Sequence, residues 1–160
     1  MLRLTKAADY GIILLTYMGW KSAEPHNARD LSRAAHLPLP MVSKILKSLA
    51  RAGILESQRG TKGGYRLARP PARISVAEII TALEGPIALT ECVGEVESNC
   101  SVERLCPIRV SWHRINHAIR DALAEITLDE MMGPMFPRPA DRTAAAGAPT
   151  LSLTAAAEAD

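Results

Sequence analysis

Aromatic residues are scarce in this sequence: two tryptophans, three tyrosines and one phenylalanine make up 4% of its 160 residues. A core built from such a chain must be aliphatic, packed by Ile, Leu, Val and Ala. Long apolar runs are missing too. The longest, residues 12–15, falls far short of the roughly 18 residues that read as a membrane span, so no membrane partner is expected. The N-terminal stretch lacks the apolar region and small-residue cleavage site of a secretory signal, and a cytoplasmic location is expected. Cysteine is limited to three residues, an odd number that suits reduced thiols better than a disulfide framework. No internal repeat is visible, and no glycine-rich phosphate loop follows a strand pattern. The 27 residues after Gly133 turn to Pro, Ala, Asp, Arg and Thr and read as a disordered tail, 134–160. What remains is long enough for one domain with an appendage, which excludes a second enzyme-sized domain.

Charge is present but unevenly placed. Residues 1–73 hold 13 Lys and Arg against 4 Asp and Glu, a balance of +9, while residues 74–160 hold 6 against 13, a balance of −7. A basic half joined to an acidic half points to a polyanion partner for the first half alone, the alternative being a merely solvated basic surface.

The apolar spacing gives that half its shape. Tyr10, Leu14, Tyr17 and Met18 share one face of a helix over residues 5–20. Asn27 is a helix-start residue for a brief second helix with Ala28, Leu31, Ala34 and Ala35 as its apolar stripe. The run Leu37-Pro38-Leu39-Pro40 stops it, and Pro40 suits the first position of a third helix. There Val42, Ile45, Leu46 and Leu49 form the core side, with Lys44, Lys47 and Arg51 opposite and Ser43 beside them. Gly53 ends the helix, and residues 54–58 and 65–68 flank a glycine-rich tip carrying Arg59 and Lys62. Three short helices followed by a basic hairpin predict a winged helix-turn-helix, residues 1–73, whose candidate contacts to double-stranded DNA are Ser43, Lys44, Lys47, Arg51, Arg59 and Lys62. A winged helix can also serve protein contacts; the coincidence of cationic helix and cationic wing favours DNA.

The second half reads as a connecting helix and cysteine loop over 74–106, then a helix and a short terminal helix over 107–133. Ser75 and Glu78 have the capping-box spacing, and Pro107 is placed as a first helical residue. Ile108, Trp112, Ile115, Ile119, Ala122 and Ile126 recur at spacings of 4, 3, 4, 3 and 4, a seam suited to packing on a second copy of the chain, or alternatively within the monomer. Thr127 is placed to cap a final helix through Met132. The expected fold class is therefore mainly α: a winged helix-turn-helix with a two-stranded wing, a cysteine-bearing loop and a long dimerisation helix.

Cys92, Cys100 and Cys106 form C-x7-C-x5-C, too loose for a zinc ribbon or finger. Soft thiolates on one segment favour an iron-sulfur cluster, zinc, or unliganded redox thiols. A fourth ligand would be a weaker oxygen or nitrogen donor, with Asp9, His113 and His117 as candidates by type. A cysteine nucleophile finds no evident base partner, so no catalytic residues and no small-molecule substrate are expected.

The stretches LTKAADYG, LPLPMVSKILKSLARAGIL, GGYRLARPP, ALEGPIALTEC and LCPIRVSWHRINHAI resemble the iron-sulfur winged-helix transcriptional regulators of bacteria, the IscR, NsrR and RirA type, and within them the branch regulating the SUF iron-sulfur assembly operon. The resemblance covers about residues 1–132. It implies a homodimeric DNA-binding regulator, a repressor of iron-sulfur biogenesis genes acting at an inverted-repeat operator, with Cys92, Cys100 and Cys106 binding a [2Fe-2S] or [4Fe-4S] cluster. A zinc- or thiol-based redox, nitric oxide or iron-responsive regulator on the same fold is the alternative. The resemblance also implies Asp9 as fourth ligand, as in NsrR-like members. The histidine that the IscR branch carries three residues after its third cysteine is replaced here by Arg109.

Overall fold

The computed structural model describes residues 4–21, 25–60, 63–93, 100–101 and 103–133. Helix α1 spans Lys6–Trp20, and the Thr5 hydroxyl accepts from the Ala7 and Ala8 amides at its start. Helix α2, Ala28–Ala35, is capped by the Asn27 side chain accepting from the Asp30 amide. Helix α3, Leu39–Arg51, begins one residue earlier than the sequence spacing implies, with Pro40 at the second helical position rather than the first. The shift costs nothing, because amides in the first helical turn have no intrahelical acceptor for proline to remove.

Gly53, at φ 73°, turns the chain out of α3 into the wing. Strands β1, Leu55–Gln58, and β2, Gly64–Leu67, pair antiparallel from Leu55 opposite Leu67 to Gln58 opposite Gly64. Arg66 and Glu56 face each other across them at 2.7 Å. The His26 backbone adds a third rung, exchanging two 2.8 Å hydrogen bonds with Tyr65 and fastening the wing to the segment before α2.

Helix α4, Val76–Glu84, opens with the expected capping box: the Ser75 hydroxyl accepts from the Glu78 amide while Glu78 accepts from the Ser75 amide. Burial works against ionisation of Glu78, but the Ser75 amide, the Arg69 guanidinium at 2.9 Å and the Ser75 hydroxyl outweigh it and hold the carboxyl below the usual carboxylate range. Helix α5 runs Arg109–Glu125, starting two residues past Pro107, which therefore precedes the helix instead of opening it. Helix α6, Leu128–Met131, carries a second capping box between Thr127 and Glu130.

One aliphatic core joins these parts. Leu14, Leu15 and Met18 of α1 pack with Leu31, with Val42, Ile45, Leu46 and Leu49 of α3, and with Ile54, Ile74, Ile79 and Leu128. The core is thus continuous past residue 73, and Leu128 returns to it after the whole of α5. Backbone bonds from Val76 N to Ile126 O and from Leu128 N to Ile74 O hold that return. Full burial of Leu128 contributes about 1.5–3 kcal/mol. Consequently both ends of α5 are tied down: one continues from the cysteine segment, the other is sewn to the winged helix.

Candidate nucleic-acid interface and cysteine segment

Lys44, Lys47 and Arg51 are all exposed, on the side of α3 opposite buried Val42, Ile45, Leu46 and Leu49, while Ser43 is half-buried at the edge of the stripe. At about 100° per residue the three cations fall within a 60° arc, so the core dictates their outward direction. Arg59 is exposed beside Gly60, whose φ of 115° turns the wing tip. Lys62 lies outside the described residues. Among the described residues neither Lys44, Lys47, Arg51 nor Arg59 forms an ion pair, whereas Arg66 and Arg69 of the same half are engaged by Glu56 and Glu78.

Apolar periodicity does not single out Arg29 and Arg33. Both are exposed on α2 four residues apart, and they line an open surface with Asn27 and Leu39, next to the N-terminal end of α3. Their i, i+4 spacing on one helical face is the sequence signal that marks them. In a helix-turn-helix the helix before the recognition helix crosses the DNA backbone, which is where this pair is carried.

The three cysteines lie on the segment leading into α5. All are half-buried and none is in a disulfide. Cys92 sits in the 3-10 turn Glu91–Val93, which packs against α5, with the Thr90 hydroxyl 3.2 Å from its sulfur. The Glu103 amide donates to Cys100 O and the Cys106 amide to Glu103 O, and Arg109, in the first turn of α5, pairs with Glu103 at 3.0 Å. By chemistry the donor set suits a soft metal or an iron-sulfur cluster. In the arrangement described, however, no three His, Cys, Asp or Glu side chains among the described residues come close enough to hold a metal ion. Asp9 is exposed in the first turn of α1, His113 is half-buried and His117 exposed on α5.

Of the expected seam on α5, Ile108, Ile115 and Ile126 are exposed at 53%, 44% and 39%, Ala122 is exposed, and Trp112 and Ile119 are half-buried. The buried position of this helix is instead Asn116. Helical geometry separates the two faces: with Asn116 as origin, Trp112 and Ile119 lie within about 60°, whereas Ile108, Ile115 and Ile126 centre near 90° away. Arg120, Asp121 and Ala124 share a cleft with Glu78, Thr81 and Ala82 of the chain's own α4, while Ile108, Ile115 and Ile126 look outward.

No helix among the described residues is long and apolar enough to cross a membrane. The sequence matches the family described as Rrf2, Iron-dependent Transcriptional regulator, over residues 4–134. It is 28% identical over 132 residues to the HTH-type transcriptional regulator NsrR of Geobacillus kaustophilus, covering 82% of this chain and 90% of that protein. To the HTH-type transcriptional regulator IscR of Xenorhabdus nematophila it is 29% identical over 132 residues, covering 82% and 79%. Among solved structures, CymR, the global cysteine regulator of B. subtilis, superposes with a TM-score of 0.63 at 27% identity, covering 82% of this chain and 97% of CymR.

Proposed function

The chain belongs to the Rrf2 family of iron-dependent transcriptional regulators, and on that premise we propose that it is a homodimeric repressor of iron-sulfur biogenesis genes whose operator affinity follows the state of Cys92, Cys100 and Cys106. It is a DNA-binding winged-helix regulator and not an enzyme. The observation that carries the finer reading is the pairing of an uncompensated cationic face with three half-buried, disulfide-free thiols on the one segment that enters α5.

In this reading Ser43, Lys44, Lys47 and Arg51 enter the major groove with α3, Arg59 and Lys62 follow the backbone from the wing, and Arg29 and Arg33 contact phosphates from α2. Two such units related by a twofold axis read an inverted repeat. The three cysteines hold an iron-sulfur cluster, with Asp9 as the weaker fourth donor. When bound, the cluster supplies strong iron–thiolate bonds that favour one arrangement of the cysteine segment. A bias of about 1.4 kcal/mol between arrangements changes operator affinity tenfold.

A second reading, a thiol-based sensor on the same fold, is favoured by the Thr90–Cys92 contact and by the lack of a converged ligand group among the described residues; a zinc-based sensor needs the same convergence as a cluster. Colour separates the two after anaerobic reconstitution with ferrous iron and sulfide. The cluster reading expects a brown protein whose visible absorption disappears in Cys92→Ala, Cys100→Ala or Cys106→Ala; colour retained in all three variants overturns it. The DNA claim has its own measurement. Lys47→Ala and Arg59→Ala should each weaken operator binding and lower the slope of log affinity against log salt by about 0.9 for each phosphate no longer neutralised. Unchanged slopes in both would mean that these cations do not meet phosphate.

A further inference from the structure

Helix α5 turns a polar residue into the chain. Asn116, 4% exposed, is the buried residue of a helix on which Ile115 looks outward. Its amide donates from Nδ2 to Ile87 O at 3.0 Å and accepts at Oδ1 from Leu89 N at 3.1 Å. One side chain therefore satisfies a backbone acceptor and a backbone donor two residues apart, on a stretch that belongs to neither helix nor strand. Only an amide meets this demand at that reach, since a carboxylate loses the donor and an aliphatic isostere loses both partners. Burying such a group without its partners is costly, so the contact persists as a pair of bonds or opens as a unit.

The held stretch leads straight to a thiol. Leu89 precedes Thr90, whose hydroxyl contacts the Cys92 sulfur at 3.2 Å and whose carbonyl accepts from the Val93 amide at 3.2 Å. Cys106 and Cys100 are joined to α5 from the other direction, by the Arg109 amide donating to Cys106 O and by the Arg109–Glu103 pair. Cys92 is 17 residues from the start of α5, and Asn116 bridges that gap in mid-helix, two turns in from the N-terminus.

We propose that Asn116 is the positioning residue through which the Cys92 thiol acts on α5. Any change that moves Cys92, its ligation to a metal above all, pulls on Leu89 and Ile87 and hence on the middle of the helix proposed to carry the dimer contact. The transmission step rests on the regulator reading given above; the tie between Asn116 and Cys92 does not.

Two measurements on full-length protein separate the two levels. The first is alkylation by iodoacetamide of the metal-free chain, followed at each cysteine by mass spectrometry. In Asn116→Leu, Cys92 should react about fivefold faster or more, the change expected when a buried pair of hydrogen bonds is removed, while Cys100 and Cys106 keep their wild-type rates. Asn116→Ser, which retains a short group able to donate and accept, should fall between and serves alone if the leucine variant does not fold. Equal acceleration at all three cysteines, or none at Cys92, overturns the proposal. The second measurement is the ratio of operator affinities before and after anaerobic reconstitution with ferrous iron and sulfide. It should shrink toward one in Asn116→Leu with the metal-free affinity unchanged; a ratio equal to the wild type's overturns transmission. A wild-type ratio of one sinks the regulator reading itself, and transmission with it, and the alkylation rates then still decide the tie.

Discussion

His36 adopts φ 55° and ψ 38° at the C-terminus of α2, the left-handed conformation that side chains with a Cβ avoid, and no other non-glycine residue described has positive φ. It is exposed, and its amide with that of Leu37 satisfies the last carbonyls of α2, Arg33 O and Ser32 O. This closes the turn of the helix-turn-helix. The conformation costs a non-glycine residue about 1–2 kcal/mol, and glycine gives back about 0.5–1 kcal/mol in backbone entropy. His36→Gly should therefore raise stability by about 0.5–1 kcal/mol in urea unfolding, and a decrease would mean that the imidazole carries a contact of its own. Nothing in the sequence announces this position, because the tight turn between α2 and α3 is demanded by the packing of α2 against α3 in the shared core, not by local preference. Asn116 is hidden for a related reason: burial of a polar side chain depends on which loop folds under it. The capping box of Ser75 and Glu78 is legible because it needs only two residue types three positions apart.

At the scale of elements, periodicity locates α1 to α3, although α1 buries residues from Leu14 through Thr16 around much of its circumference and leaves Tyr10 and Tyr17 half-buried, while α4 is announced by its capping box and the wing by its glycines. Boundaries move where proline is the guide, at Pro40 and Pro107, because proline is tolerated throughout the first turn and in the residues before it. The third rung of the wing is invisible in the sequence, as a one-residue bridge leaves no period. It can be tested through Gly64. A Cβ there would lie 2.6 Å from His26 O and 2.7 Å from His26 C, backbone atoms that cannot rotate away. Gly64→Ala should break both His26–Tyr65 bonds, destabilising the chain by about 1–3 kcal/mol and freeing the wing from α2. Operator affinity should fall while the alkylation rates of the cysteines, remote from the wing in sequence and packing, stay constant. Unchanged stability in urea would show that the bridge holds nothing.

For the whole molecule the question is what lies against α5. The heptad spacing reads as one seam, but the chain divides it: Trp112 and Ile119 are half-buried within the chain, whereas Ile108, Ile115 and Ile126 stay exposed. A spacing of 4 and 3 cannot distinguish a helix with one partner from a helix with two, because adjoining faces share border residues. A second copy is the partner that fits, since helix and seam are its own complement about a twofold axis. The division also improves the test. Ile119→Asp would disturb the fold and the interface together, whereas Ile115→Asp places its charge where a single chain leaves that side chain 44% exposed. The Ile115 variant should therefore keep the wild-type helical content and core stability yet sediment as a monomer, because a carboxylate buried unpaired between two helices is poorly tolerated. Its affinity for an inverted repeat should drop by about 100-fold or more, to that of one winged helix on one half-site, since linkage of two units is what raises the second contact to an effectively intramolecular event. Affinity for an isolated half-site should not change. An intact Ile115→Asp dimer would move the interface off this helix, and Asn116 would then tie Cys92 to a helix with no second copy against it.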